Sequence, residues 1–174
     1  MSMMFTIRPE EASDFPEIYH LVETAFESAP HADGDEQDYV QKLRDSPNYL
    51  PELALVAERE GELIGHIMLT RLDVETANGR QETLLLSPLS VASPHRSHGV
   101  GAALVRESLS RAVALKHRAV LVVGDPEYYS RFGFRCSREF GIGNLTGFED
   151  INVMARELKE GALENLSGSV AFPT

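Results

Sequence analysis

The residues best suited to chemistry lie in one stretch, Pro88-Leu-Ser-Val-Ala-Ser-Pro-His-Arg-Ser-His-Gly-Val-Gly-Ala-Ala-Leu-Val. Within it, Arg96-x-x-Gly99-x-Gly101 stands between an extended run and an apolar helical stripe. Glycines at a helix start let the backbone approach a ligand closely. The unsatisfied N–H groups of the first turn, with the helix dipole, then favour a phosphate. The glycine spacing alone is common, and its weight comes from where it stands. Other phosphate cradles are excluded. A dinucleotide fingerprint needs Gly or Ala where this chain has Leu104, and no Gly-Lys-Ser/Thr occurs. The nucleophile-elbow pattern Gly-x-Ser-x-Gly is also absent.

Other reactive residue types carry less. Cys136 is the single cysteine, so neither an internal disulfide nor a cysteine metal cluster is expected. It reads as a small buried residue on a strand rather than a nucleophile, since no His-Asp pair is evident around it. His31, Asp33, Asp35 and Glu36 match no metal-loop spacing, including that of the EF-hand, and read as a solvated loop. No metal is expected.

The charge distribution sets limits on partners. The chain has 174 residues and a net charge of −11, with 43% hydrophobic and 25% charged residues. That balance argues against nonspecific nucleic-acid or anionic-membrane binding, which Lys and Arg would have to supply. No apolar run approaches the roughly 20 residues of a spanning helix, and Met1–Arg8 contains no apolar signal core. A cytoplasmic protein is expected, folded as a single domain over 1–174. Residues 1–62 hold fifteen acidic and four basic residues, while the remainder balances. Between residues 94 and 138 eight bases face three acids, which reads either as an anion-holding surface or as a solvated helix face.

Several elements must position the loop. Phe5–Arg8 alternates as a first strand, and Glu11–Phe26 has apolar residues at helical spacing, capped by Ser13 or opened at Pro16. Asp35–Arg44 is a second amphipathic helix. Leu53–Glu58 and Leu63–Val74 form a hairpin, and Asn78-Gly79 turns the chain into Glu82–Val91. Pro88 cannot donate to a ladder, so that strand has an edge, bulge or bend there. Leu104, Val105, Leu109, Ala112 and Val113 form the core stripe of the following helix. Ala119–Val123 is a buried strand, and Asp125-Pro126 opens a short helix ending at Gly133. Asn152–Leu158 and its surroundings supply one or two further strands. The class is α/β.

Arg96-x-x-Gly99-x-Gly101, followed about thirty residues on by Val122-Val-Gly-Asp-Pro-Glu-Tyr-Tyr-Ser-Arg-Phe-Gly-Phe134, resembles the GCN5-related N-acetyltransferase (GNAT) superfamily. Gly124-Asp125-Pro126 and the ending Leu158-Lys-Glu-Gly-Ala-Leu163 resemble its YhbS-like predicted acetyltransferases more narrowly. The resemblance covers almost the whole chain. It implies an α+β mixed sheet, mostly antiparallel, splayed at the fourth and fifth strands and flanked by helices. Acetyl-CoA would lie in the splay as co-substrate. Leu89, Ser90 and Val91 would face its pantetheine arm, and Arg96, Ser97, His98, Gly99, Val100, Gly101 and Ala102 its pyrophosphate. His95 flanks that loop.

The implied reaction moves an acetyl group to a primary amine, of a small molecule or a protein lysine, by direct attack. Tyr129, ahead of Gly133-Phe134, would be the general acid, with Tyr128 its competitor. A phenol with an ordinary pKa near 10 is still protonated at neutral pH and can donate to a departing thiolate. No carboxylate stands out as base, since Leu84, Leu85 and Leu86 are apolar, which leaves Glu82 and the acidic N-terminal helices. Asp125 stands near the place where many members carry an Asn. The acidic first third suggests a cationic acceptor. A homodimer stays compatible with the sequence. The alternative function is a non-catalytic acyl-CoA-binding sensor or assembly module.

Overall fold

The computed structural model describes residues 4–27, 34–96 and 98–171. Nine strands among them join in one mixed sheet whose path runs Thr6–Pro9, Ala54–Arg59, Glu62–Thr76, Gly79–Val91, Ala119–Val123, Val153–Glu157, Arg135–Cys136; off that path, Gly168–Val170 pairs with Glu62–Thr76 and with Ile142–Asn144. The chain packs as two compact units interleaved in sequence. One comprises Met1–Leu69 and Pro88–Ser108, the other Thr70–Ser87 and Leu109–Thr174.

In the first unit, β1 (Thr6–Pro9) pairs antiparallel with β2 (Ala54–Arg59), which pairs antiparallel with the start of β3 (Glu62–Thr76). A short 3-10 turn at Ala12–Asp14 leads into α1 (Phe15–Phe26), with Pro16 in the first turn, where its missing N–H costs no helical bond. Ser13 is not the cap. The Glu11 N–H donates to the Asp14 carboxylate instead, at 2.8 Å. From α1, Ile18, Leu21 and Val22 bury with Val40 of α2 (Glu36–Arg44) and with Ala54, Val56, Leu63 and Met68 of the strands.

A polar island lies in this layer. The Glu10 side chain, fully shielded, accepts from Arg44 Nε at 2.8 Å and Arg44 Nη2 at 2.9 Å. It also accepts from Tyr49 Oη at 2.6 Å, and lies 2.9 Å from Nε2 of His66, which is 0% exposed. A carboxylate can only accept, so Nε2 carries the proton and, in the neutral ring, His66 Nδ1 is a bare lone pair; among the described residues no partner reaches Nδ1. Arg44 also stacks over the Phe15 ring at 3.9 Å. The island pins the end of α2 to the turn after β1 and to β3.

The second unit is built on β5 (Ala119–Val123), a continuous apolar run buried at four of its five residues. It pairs parallel with Leu84–Leu86 of β4 (Gly79–Val91) and antiparallel with β8 (Val153–Glu157). Leu72, Val74, Leu85, Ala119, Leu121, Ile142, Val153 and Ala155 form its core. The short strands β6 (Arg135–Cys136), β7 (Ile142–Asn144) and β9 (Gly168–Val170) complete it, more strands than the alternation around Asn152–Leu158 announced. Helix α3 (Val100–Ala114) buries Val100, Leu104, Val105, Leu109 and Ala112. Val113, expected in that stripe, is instead 49% exposed, because its place beside Ala112 turns it about 100° away.

Candidate active site

The glycine loop is set by the end of β4. Pairing of β4 with β5 stops at Leu86 and Val122, but β4 runs on through Pro88 to Val91. Its far end stays paired with β3, where just beyond the strand the Ala92 N–H donates to the Ile64 carbonyl at 2.9 Å. That is the divergence expected from a proline that cannot donate to a ladder. A 3-10 turn at Ser93–His95 follows, then Gly99 at φ +83°, in the left-handed region, and then α3. A Cβ at Gly99 would meet no protein atom within 4 Å, so the backbone there is open to close approach. The Ala103 N–H bonds to the Gly99 carbonyl at 3.0 Å, so the N–H groups of the first turn of α3 are the ones helix geometry leaves free.

Helix α3 is seated by Gly65 of β3. A Cβ at that position would come within 2.8 Å of Leu104 and 2.9 Å of Val100, so only glycine lets the first turns pack this closely. Of the residues implied for the pantetheine arm, Ser90 is 2% exposed and its hydroxyl has no partner among the described residues. A buried unpaired hydroxyl costs stability unless a ligand satisfies it. Leu89 and Val91 are half-buried beside it. Of the loop, Val100 is buried, His98 and Gly99 are exposed, and Gly101 and Ala102 are partly so. Ser97 lies outside the described residues. The Arg96 side chain turns to carbonyls, donating from Nη2 to Ala25 at 2.5 Å and from Nε to Val91 at 3.4 Å.

The tyrosine site stands after β5, in the second unit. The Asp125 carboxylate accepts from the Glu127 N–H at 2.9 Å and caps the short helix α4 (Pro126–Tyr129). The Tyr129 ring lies against Gly124, where an added Cβ would come within 2.8 Å of Cδ2 and overlap Cε2. Tyr128, Phe134 and Phe132 surround it, with ring centroids at 5.0, 5.7 and 6.4 Å. Gly133, left-handed at φ +86°, ends the segment as its Gly-Phe position requires. Tyr129 is 8% exposed, and burial, then the neighbouring Tyr128, pushes its pKa above the ordinary tyrosine value. It therefore stays a phenol across the physiological range. Tyr128 is half-buried under the Arg131 guanidinium, 4.6 Å away.

Other candidates settle elsewhere. Glu82 lies near Arg118 and Lys159, 3.7 Å from Arg71, beside the start of β5. Gly124 and Tyr129 follow its end, so five strand residues, roughly 16 Å, separate them from Glu82. Asn152 brackets the end of β5. Its Nδ2 donates to the Gly124 carbonyl at 3.1 Å, and its own carbonyl accepts from the Gly124 N–H at 3.0 Å. Three bases of the basic stretch have partners in the second unit. Arg135 pairs with Glu139, Arg138 pairs with Asp150 at 2.9 Å, and Arg131 stacks on aromatic rings. Cys136 is half-buried, its thiol 3.5 Å from the Asp150 carbonyl. His31 and Asp33 lie outside the described residues, and among those described no group of three or more ligating side chains could hold a metal. No described helix is long and apolar enough to cross a membrane.

A strand that leaves its parallel neighbour, with a glycine turn opening a helix at its end, is the arrangement of the GNAT N-acetyltransferases. The chain belongs to that family: the model of the acetyltransferase (GNAT) domain matches residues 6–137. The uncharacterized N-acetyltransferase YhbS of Escherichia coli (strain K12) is 28% identical over 166 residues, 95% of each chain. The uncharacterized N-acetyltransferase YjhQ of the same strain is 30% identical over 138 residues, 79% of this chain and 74% of the relative. The crystal structure of the E. coli YhbS in complex with CoA superposes with a TM-score of 0.87, covering 99% of this chain and 92% of that one. A GNAT acetyltransferase from Brucella melitensis in complex with acetyl-CoA gives 0.80 at 25% identity, covering 98% and 97%.

Proposed function

We propose that the enzyme transfers the acetyl group of acetyl-CoA to a primary amine by direct attack, with Tyr129 as general acid. Membership of the GNAT family carries this reading, supported in the first unit by the open glycine turn at the start of α3 and, in the second, by the buried phenol that follows β5. The structural neighbours named above hold CoA and acetyl-CoA. Acetyl-CoA supplies the thioester carbon that the amine attacks and the thiolate that leaves. The chain's part is to bind, orient and donate. The first-turn N–H groups of α3, from Gly99 to Ala102, receive the pyrophosphate, together with the loop from Arg96 through Ser97 and His98. Leu89, Ser90 and Val91 line the pantetheine arm, with the Ser90 hydroxyl free to bond to it. Tyr129 keeps its proton until the sulfur departs, and the proton that the attacking nitrogen sheds passes to solvent, from which the phenol is restored.

The decisive experiment is thiol release from acetyl-CoA, with and without a panel of amines. Release that rises with an amine supports the transfer. CoA binding with no release across the panel favours the binding-module reading. For the cofactor loop, Gly101→Val puts a branched side chain in the first turn of α3. Calorimetry should show CoA affinity at least about tenfold weaker with the fold intact, the equivalent of roughly 1.4 kcal/mol. Unchanged affinity would remove the pyrophosphate from this loop.

For the acceptor we favour a cation: a polyamine, an aminoglycoside-like amine or a lysine side chain. Asp35 and Asp38 are exposed at the start of α2, with Asp38 accepting from Tyr19 Oη at 3.1 Å and Glu36 from the Gly34 N–H at 3.1 Å. Asp33 lies outside the described residues. Charges of this kind raise the local concentration of a cation and are screened by salt. With an acceptor in hand, kcat/KM should fall steeply with salt, and the slope should flatten when Asp33, Asp35, Glu36 and Asp38 are neutralised together. Equal slopes in the two proteins would overturn the cationic acceptor.

A further inference from the structure

The Arg96 side chain is the least expected part of the glycine loop. Its Nη2 donates to the carbonyl of Ala25, seventy-one residues earlier, at 2.5 Å. Ala25 lies in the last turn of α1, where helix geometry leaves four carbonyls unpaired and the dipole places partial negative charge. That turn has no basic residue of its own, and Glu23 and Glu27 add acids beside it. The missing cation is therefore supplied from the loop. The guanidinium remains exposed, and among the described residues it donates from Nη2 and, more weakly, from Nε. An arginine has five N–H donors in a rigid fork, so the Nη1 edge is left to take an anion while Nη2 holds Ala25.

We propose that Arg96 is a positioning residue that ties the cofactor loop to the carboxyl end of α1, so that CoA binding and the order of that helix end strengthen together. The inference rests on acetyl-CoA occupying the Arg96–Ala102 loop. Its physical content is reciprocal coupling. A fork already fixed on Ala25 loses little freedom when it meets a phosphate, and a phosphate that fixes the fork holds the helix end in turn.

Amide hydrogen exchange with and without CoA tests it in wild type, Arg96→Ala and Arg96→Lys. In wild type, CoA should slow exchange at residues 99–102, and also at residues 24–27 of α1. Arg96→Ala should bind CoA roughly tenfold more weakly, as for a lost hydrogen bond to a charged group. At saturating CoA it should keep the slowing at 99–102 and lose it at 24–27. Arg96→Lys keeps the charge without the fork, so it should recover most of the affinity and none of the slowing at 24–27. Slowing at 24–27 that persists in Arg96→Ala, or is absent in wild type while 99–102 responds, would overturn the coupling. No response at 99–102 in wild type would overturn the acetyl-CoA reading itself, and the coupling with it.

Discussion

Tyr129→Phe should lower turnover by about 10²–10⁴-fold, the usual loss when a general acid is removed, while CoA binding stays as in wild type. The substitution is clean here. Phenylalanine keeps the ring on Gly124 and its edge contacts with Tyr128 and Phe134. No hydrogen bond to the Tyr129 hydroxyl is found among the described residues, so its removal orphans nothing. Stability should therefore change little, and the kinetic loss reports chemistry. Burial holds the phenol's proton more tightly than a thiolate would, whose ordinary value is near 8.5. Donation to sulfur is thus a hydrogen bond that strengthens as charge develops and completes late. Any alkaline limb due to Tyr129 should lie above pH 10 in wild type. If Tyr128→Phe shows the loss and Tyr129→Phe does not, the acid is the neighbouring residue.

The second large effect is on stability. Glu10→Gln should destabilise the fold by about 3–5 kcal/mol, because it leaves the Arg44 guanidinium, 6% exposed, without its carboxylate. For a chain of this size that is a fall in melting temperature of roughly 6–20 °C. Replacing Glu10, Arg44 and His66 together by apolar residues of similar volume should recover much of the loss, since an absent pair leaves no buried charge.

The pH dependence has two parts. Burial alone would raise the Glu10 carboxyl, but hydrogen bonds from His66, Arg44 and Tyr49 outweigh it and hold the pKa at about 2. This stabilisation is complete above the ordinary carboxylate value and is lost as pH falls through about 2. Burial lowers the pKa of His66 against the pull of Glu10, so the folded protein keeps the ring neutral where the unfolded chain protonates near 6.5. Stability should therefore begin to decline as pH drops below about 6.5, before the carboxylate matters. Urea midpoints of wild type and His66→Gln between pH 5 and 7.5 check this, with the variant expected to be flatter. A Glu10→Gln protein within 1 kcal/mol of wild type would refute the buried pair as a stability determinant.

Those two sites show where the sequence is readable and where it is not. Ala119–Val123, the proline opening α4 and the left-handed Gly133 are local facts, each set by a few adjacent residues. The glycine turn before α3 is equally local. The Glu10 island joins residues 34 to 56 positions apart, and Arg96 reaches 71 positions back. Periodicity reports which face of an element is buried, not which partner crosses to meet it. A trace was present in His66, a lone ionisable residue inside the apolar strand Leu63-Ile-Gly-His-Ile-Met-Leu. The eight bases of residues 94–138 make the same point. Closeness in sequence did not foretell that Arg135 and Arg138 find acids just beyond that window.

The interleaving of the two units has a consequence for synthesis. All residues of the first unit have been added once the ribosome reaches Ser108. Leu84–Leu86 of β4 leave the ribosome ahead of Val120–Val122, their parallel partner, which lies 36 residues further along the chain. At ordinary elongation rates those 36 residues take about 2–7 s. For that interval an apolar strand edge of three leucines is bare, and bare edges recruit other chains. Slowing translation downstream of codon 108 should therefore increase aggregation of the nascent chain more than slowing it upstream of codon 70.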